Sequence, residues 1–156
     1  MNQKVTFSIL FMMVFTMLHG AGWAKSEKPQ APEKNRLQPK EVQMDSNFDG
    51  KIDRVEAYDD NGKLVRAEAD SNKDGKIDEW VEFNQGVRTK AKRDMDGDGK
   101  PDVFLTYDDK GDLVKLESDA AGKGQINEWV YYEHGEPKKA EKDTNGDGKP
   151  DTWITY

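Results

Sequence analysis

From Glu41 onward, apolar and polar side chains alternate in short runs, each closed by Gly or by a cluster of Asp and Asn. The clearest runs are RVEAY (54–58), EWVEF (79–83), VFLTY (103–107), EWVYY (128–132) and TWITY (152–156). A period of two, with aromatic and β-branched residues at the apolar positions, predicts half-buried strands rather than helices. Segments such as LVRAEA (64–69) and LVKLES (113–118) supply partner strands. Asp60-Asn61-Gly62, Gln85-Gly86 and Lys110-Gly111 between the runs suit hairpin turns. The pattern predicts an all-β fold of about nine short strands, an antiparallel meander or a β-solenoid. No segment reads as a covering helix. The sheet must therefore curl, pair with a second copy, or stay thin and draw stability from an ion.

The runs belong to a repeat. Acidic loops start at Asp45, Asp70, Asp94, Asp119 and Asp143, spaced 25, 24, 25 and 24 residues apart. They read DSNFDGKID, DSNKDGKID, DMDGDGKPD, DAAGKGQIN and DTNGDGKPD. After Gly62, Gly86, Gly111 and Gly135 the next loop begins eight residues on. With strands between them, the loops fall at one end of the sheet and the Gly turns at the other.

Counting from the first Asp of each loop, position 14 is Tyr58, Phe83, Tyr107, Tyr132 or Tyr156. Position 12 is Glu56, Val81, Leu105, Val130 or Ile154 and shares its strand face. This face is expected to be the buried one, joined by Val65, Ala67, Ala91, Val114 and Leu116 from the partner strands. The opposite face carries Val55, Trp80, Phe104, Trp129 and Trp153. Lys and Arg stems can cover such rings. Alternatively Trp80, Phe104, Trp129 and Trp153 form a platform for a glycan or another surface polymer.

Four of the loops fit D-x-[DN]-x-D-G-x-x-D, with oxygen-bearing side chains at positions 1, 3, 5 and 9. An ordinary turn needs one or two such residues. Four converging within nine positions repel one another unless a cation sits among them. With no Cys, and His134 the only His beyond the N-terminal region, the donors are all oxygen. That set suits a hard ion, Ca²⁺ above all, since Mg²⁺ demands stricter geometry.

These loops resemble calcium loops of the EF-hand type. They are equally similar to those of FG-GAP blades, thrombospondin type 3 repeats and dockerins. The resemblance implies a ligand set residue by residue. Loop one would use Asp45, Asn47, Asp49 and Asp53, the Lys51 carbonyl, and Glu56 at position 12 as a bidentate ligand. Loop two would use Asp70, Asn72, Asp74, Asp78 and the Lys76 carbonyl, with Val81 at position 12 offering nothing. Loop three would use Asp94, Asp96, Asp98, Asp102 and the Lys100 carbonyl. Loop five would use Asp143, Asn145, Asp147, Asp151 and the Lys149 carbonyl. Loop four has Ala121 at position 3 and Lys123 at position 5, so it is expected to hold no metal. A true EF-hand is not expected, because the 12 or 13 residues between twelve-residue loops leave no room for two helices.

Composition narrows the class. Only 34% of the 156 residues are hydrophobic and 35% are charged, so a large core is excluded. Lys4 precedes an apolar run over 5–18, and small residues Gly22 and Ala24 follow. Residues 1–24 therefore read as a secretory signal peptide, and the protein is expected to be secreted or periplasmic, not membrane-spanning after cleavage. Residues 25–40, with prolines at 29, 32 and 39, read as a flexible tether, which leaves 41–156 as the repeat domain. The first 40 residues hold six of the 24 Lys/Arg and two of the 31 Asp/Glu. Residues 41–156 thus carry 18 and 29, a net −11. That balance disfavours nucleic acid and favours cations as partners. No catalytic triad or phosphate loop occurs, and the carboxylates recur in every repeat, so no enzyme is expected. A polymer or protein partner in the envelope stays open.

Overall fold

The computed structural model describes residues 38–156. The expected signal segment 1–24 and most of the expected tether 25–40 lie outside the described residues. The rest is one antiparallel sheet of ten strands in sequence order, an open meander. The strands are β1 (Glu41–Met44), β2 (Arg54–Tyr58), β3 (Leu64–Ala69), β4 (Glu79–Asn84) and β5 (Val87–Arg93). They continue as β6 (Val103–Tyr107), β7 (Leu113–Ser118), β8 (Glu128–Glu133), β9 (Glu136–Lys142) and β10 (Thr152–Thr155). The all-β meander matches the expectation. The tenth strand is β1, whose EVQM is too short and polar to stand out as a run.

Two kinds of connection alternate. Acidic loops join β1–β2, β3–β4, β5–β6, β7–β8 and β9–β10, while Gly turns join the other pairs. In an antiparallel meander this puts the loops at one end and the turns at the other. Gln85-Gly86 and His134-Gly135 have φ of 52°, 84°, 54° and 82°, the left-handed pair of a two-residue type I′ hairpin. Around Gly62 and Gly111 the turn is longer and is closed by Asp59 and Asp108. Each Asp accepts two backbone N–H groups on its carboxylate, from Asn61 and Lys63 and from Lys110 and Asp112.

One row, apolar on every strand but β2, crosses the sheet: Val42, Glu56, Ala67, Val81, Ala91, Leu105, Leu116, Val130, Ala140 and Ile154. Its members Ala67, Ala91, Leu116, Val130 and Ala140 are the buried hydrophobic residues among those described, and Val103, Leu105, Tyr132 and Ile154 pack against the cluster of Leu116, Val130 and Ala140. Small Ala on β3, β5 and β9 faces larger side chains on the neighbouring strands, so the row stays level across the sheet.

The position-14 aromatics lie beyond a register shift. In each hairpin one residue of the second strand is left unpaired: Val65, Thr89, Val114 or Lys138. A β-bulge of this kind offsets the simple alternation. Leu64 and Leu113 therefore stand opposite Tyr58 and Tyr107, where alternation alone put Val65 and Val114. Val65 is 37% exposed, so its expected place in the buried face is corrected. Truncating Leu116 to Ala is expected to cost about 2–3 kcal/mol in urea unfolding, and Val65→Ala at most about 0.5 kcal/mol.

Candidate metal centre

Each loop is wound by its first Asp. The position-1 carboxylate accepts the N–H of the position-6 Gly: Gly50 to Asp45 (2.9 Å), Gly75 to Asp70, Gly99 to Asp94 and Gly148 to Asp143 (2.7 Å each). Gly124 donates to Asp119 in the same way. The Gly is required because φ there is 76–94° in every copy. Position 4 is left-handed too. Gly97, Gly122 and Gly146 occupy it in three loops, but Phe48 (63°) and Lys73 (62°) in the first two.

Position 9 is fixed from the other side of the loop. The N–H of position 2 donates to it: Ser46 to Asp53 (2.8 Å), Ser71 to Asp78 (3.0 Å), Met95 to Asp102 (2.7 Å) and Thr144 to Asp151 (3.0 Å). Hydroxyls of Ser46, Ser71 and Thr144 donate to the same carboxylates. Sequence reasoning passed over these position-2 residues. The signal was the Ser or Thr recurring next to the first Asp. Position 5 is held by position 7: the N–H of Lys51, Lys76, Lys100 and Lys149 donates to Asp49, Asp74, Asp98 and Asp147 at 2.7–2.9 Å.

The loops are stitched to one another along the sheet edge. Asp70 N–H donates to the Asp53 carbonyl, Asp94 to Asp78, Asp119 to Asp102 and Asp143 to Asn127, at 2.8–2.9 Å. Position 9 of one loop thus abuts position 1 of the next. Five of these Asp residues, Asp53, Asp70, Asp78, Asp94 and Asp143, are the buried polar side chains among the described residues. Lys51 reaches across to the carbonyl of Asp74 (3.1 Å), linking loops one and two.

These hydrogen bonds favour the charged form of the carboxylates. The Ser46 hydroxyl, and then the Ser46 and Asn47 amides, hold Asp53 below the usual Asp value despite burial. The Thr144 and Thr152 hydroxyls do the same for Asp151. Burial pushes Asp94 up, but the amides of Gly99 and Gly97 and contacts with Asp96 bring it down overall.

Convergence is greatest in loop three. Asp94, Asp96 and Asp102 each bring a carboxylate oxygen within 4.8 Å of the other two, and this cluster can hold a metal ion. Asp98 flanks it, bound to Lys100 at 4.0 Å. Loops one, two and five have Asn at position 3. There the amide N–H of Asn47, Asn72 and Asn145 points at Asp49, Asp74 and Asp147 (3.1–3.4 Å), which softens the charge that loop three leaves unopposed.

Glu56 stands apart from loop one. It sits in mid-β2, where its carboxylate is held by Arg54 (2.8 Å) and by the Tyr58 hydroxyl. Loop four keeps the wrap through Asp119, but Lys123 is exposed and forms no ion pair among the described residues. One Asp119 oxygen is buried without a hydrogen-bond partner.

Trp80, Phe104, Trp129 and Trp153 form one row on the opposite sheet face, interleaved with Glu68, Lys92, Glu117 and Glu141. Lys92 lies 5.3 Å from the Trp80 ring centre, while Lys115 and Lys139 lie over Tyr131 (5.6 and 4.1 Å). A groove of about 500 Å³ opens between Trp80 and Phe104, walled by Lys90, Lys92, Glu117 and Ile126.

Fold and loops define a one-sheet β-repeat protein with an edge of buried, hydrogen-bonded carboxylates. No family model and no curated protein matches the chain. Among solved structures, a mutant of S. aureus TarM, in complex with Fondaparinux, alpha-GlcNAc-glycerol and UDP, is similar at 14% identity and a TM-score of 0.37. The match covers 64% of this chain and 21% of that one, and so slight a likeness carries no functional argument. Among the described residues no helix is long and apolar enough to cross a membrane.

Loop geometry makes a direct prediction. Phe48 is 89% exposed and left-handed, so Phe48→Gly loses no packing and relieves strain. It is expected to raise stability by several tenths to about 1 kcal/mol in thermal unfolding, whereas Gly50→Ala lowers it by about 1 kcal/mol.

Proposed function

We propose that this is an exported, non-enzymatic calcium-binding repeat protein in which the ion completes the fold. The observation that carries this is that Asp94, Asp96 and Asp102 each bring a carboxylate oxygen within 4.8 Å of the other two. Like charges held that close favour uptake of a divalent ion. All-oxygen donors on a wrapped loop suit Ca²⁺. Loops one, two and five have the same winding hydrogen bonds and the same oxygen-bearing positions, so they are further sites of the same kind. Loop four lacks two of the donors.

Binding to the folded loop alone stabilises the fold by mass action, about 2.7 kcal/mol per site at a hundredfold excess over Kd. Extracellular modules have Kd of roughly 10⁻⁴–10⁻³ M. A chain of this kind stays loose during export and sets where calcium is abundant. Calorimetric titration with Ca²⁺ is expected to give several sites, and circular dichroism to give a melting point that falls in EGTA. Absence of binding heat at millimolar Ca²⁺, together with unchanged melting, would sink the proposal.

A second reading is supported by the groove beside Trp80 and Phe104. Aromatic faces flanked by Lys and Glu suit an adhesion or scaffold role, with an envelope glycan stacked on the rings. Here Trp80→Ala and Phe104→Ala should each weaken retention on isolated envelope polysaccharide while the melting point in calcium shifts little. Equal retention of both variants removes the groove as a platform.

A further inference from the structure

We propose that copies of this chain join edge to edge, β10 of one copy pairing antiparallel with β1 of the next. One sheet would then run through both. The proposal goes beyond calcium binding and rests on strand register.

Neighbouring strands meet in two alternating ways, across a loop or across a hairpin. β10 follows a loop, as β8 does, and β1 precedes one, as β9 does. A contact between β10 and β1 would therefore repeat the β8–β9 interface without its turn. In that interface Glu128 faces Lys142, Trp129 faces Glu141, Val130 faces Ala140, Tyr131 faces Lys139 and Tyr132 faces Pro137. Counting from the adjoining loops, the equivalent pairs are Thr152–Met44, Trp153–Gln43, Ile154–Val42, Thr155–Glu41 and Tyr156–Pro39. Ile154 against Val42 prolongs the apolar row from one copy into the next. Glu41 is the sole charged side chain among these five pairs.

The backbone agrees with this register. Tyr156 N–H donates to the Lys138 carbonyl, and Tyr58 N–H to the Lys40 carbonyl. In an antiparallel ladder the hydrogen-bonding direction alternates along each strand. Thr152, Ile154 and Tyr156 thus face β9, while Trp153 and Thr155 turn their N–H and C=O outward. On β1, Lys40, Val42 and Met44 face β2, while Glu41 and Gln43 point outward. The outward groups are the ones that Trp153–Gln43 and Thr155–Glu41 bring together. At the loop end, Asp45 would meet Asp151 as Asp70 meets Asp53.

Among the described residues nothing pairs with the outer edge of β10, and that edge looks like half of an interface. Trp153 is 68% exposed and Tyr156 64%, whereas Trp80, Trp129, Tyr58, Tyr107 and Tyr132 are all half-buried between two neighbours. Edge strands are ordinarily guarded by charge, proline or a bulge. β10 is Thr-Trp-Ile-Thr, with none of these. The two joining surfaces differ, so the contact is head-to-tail and leads to open chains or rings.

The full chain is to be examined by sedimentation velocity over about a hundredfold range of concentration in millimolar calcium and in EGTA. Thr155→Glu would set Glu against Glu41 of the next copy, yet within its own sheet it faces Lys139. It is expected to weaken association about fivefold while sparing the fold, and Glu41→Lys added to it should restore association. The register is read covalently. The chain has no Cys, so chains carrying Ile154→Cys mixed with chains carrying Val42→Cys should form a disulfide-linked pair on oxidation. Mixing Ile154→Cys with Met44→Cys should form far less.

The Ile154–Val42 crosslink decides the matter. Its absence overturns the proposal, whether the chain is monomeric, with its own N-terminal residues covering β10, or associates by another surface. Calcium binding is measured separately by titration, so either idea can fail alone.

Discussion

Everything at the loop end turns on one hydrogen bond, from the N–H of the position-6 Gly to the carboxylate of the first Asp. It recurs in all five copies, loop four included. It winds nine residues tightly enough to carry positions 3, 5 and 9 toward position 1. In loops three and four, despite burial, backbone donors hold that first carboxylate, Asp94 or Asp119, below the usual Asp value. The wrap therefore creates the electrostatic problem that an ion would solve. Loop four shows the wrap without the problem: Asp119 is capped as its counterparts are, while Ala121 and Lys123 remove two of the acidic or amide groups.

The sheet above the loops is thin. Among the described residues it has no second layer, and its buried hydrophobic side chains are five residues in one row. A sheet with so little apolar burial gains little from the hydrophobic effect. Backbone pairing and the loop hydrogen bonds carry a larger share than in an ordinary domain. This makes the carboxylate edge a structural element as well as a candidate site. Position 9 of each loop is bonded through the backbone to position 1 of the next, so an ion held in one loop would stiffen the edge that the neighbouring loop shares.

The two faces divide the work. The face with the central row packs Leu, Val and Ala, with the position-14 aromatics toward the hairpins. The opposite face alternates rings with charge, and Lys92 over Trp80 and the Lys pair over Tyr131 keep much of that ring surface from bulk water. What stands least covered is the rim: β10, with its uncharged run, and the mouth of the groove beside Phe104. In a repeat array each internal strand is completed by its neighbours, and among the described residues β10 has a neighbour on one side alone.

Strand class, repeat length and loop positions were all legible in the sequence. Each depends on local chemistry: a period of two, Gly where φ must be positive, and Asp where backbone N–H groups need an acceptor. Other features came only from tertiary structure. Glu56 fits position 12 by counting, yet Arg54 and Tyr58 claim it, because neighbours on the same strand face compete for a carboxylate. Val65 fits the buried face by alternation, yet the hairpin bulge takes it out of register. The pairing of position 9 with the next position 1 spans 17 or 16 residues, and no local pattern announces it. Local preferences are fixed by adjacent residues. Which strand end meets which, and which side chain wins a shared donor, is settled only when the ten strands lie side by side.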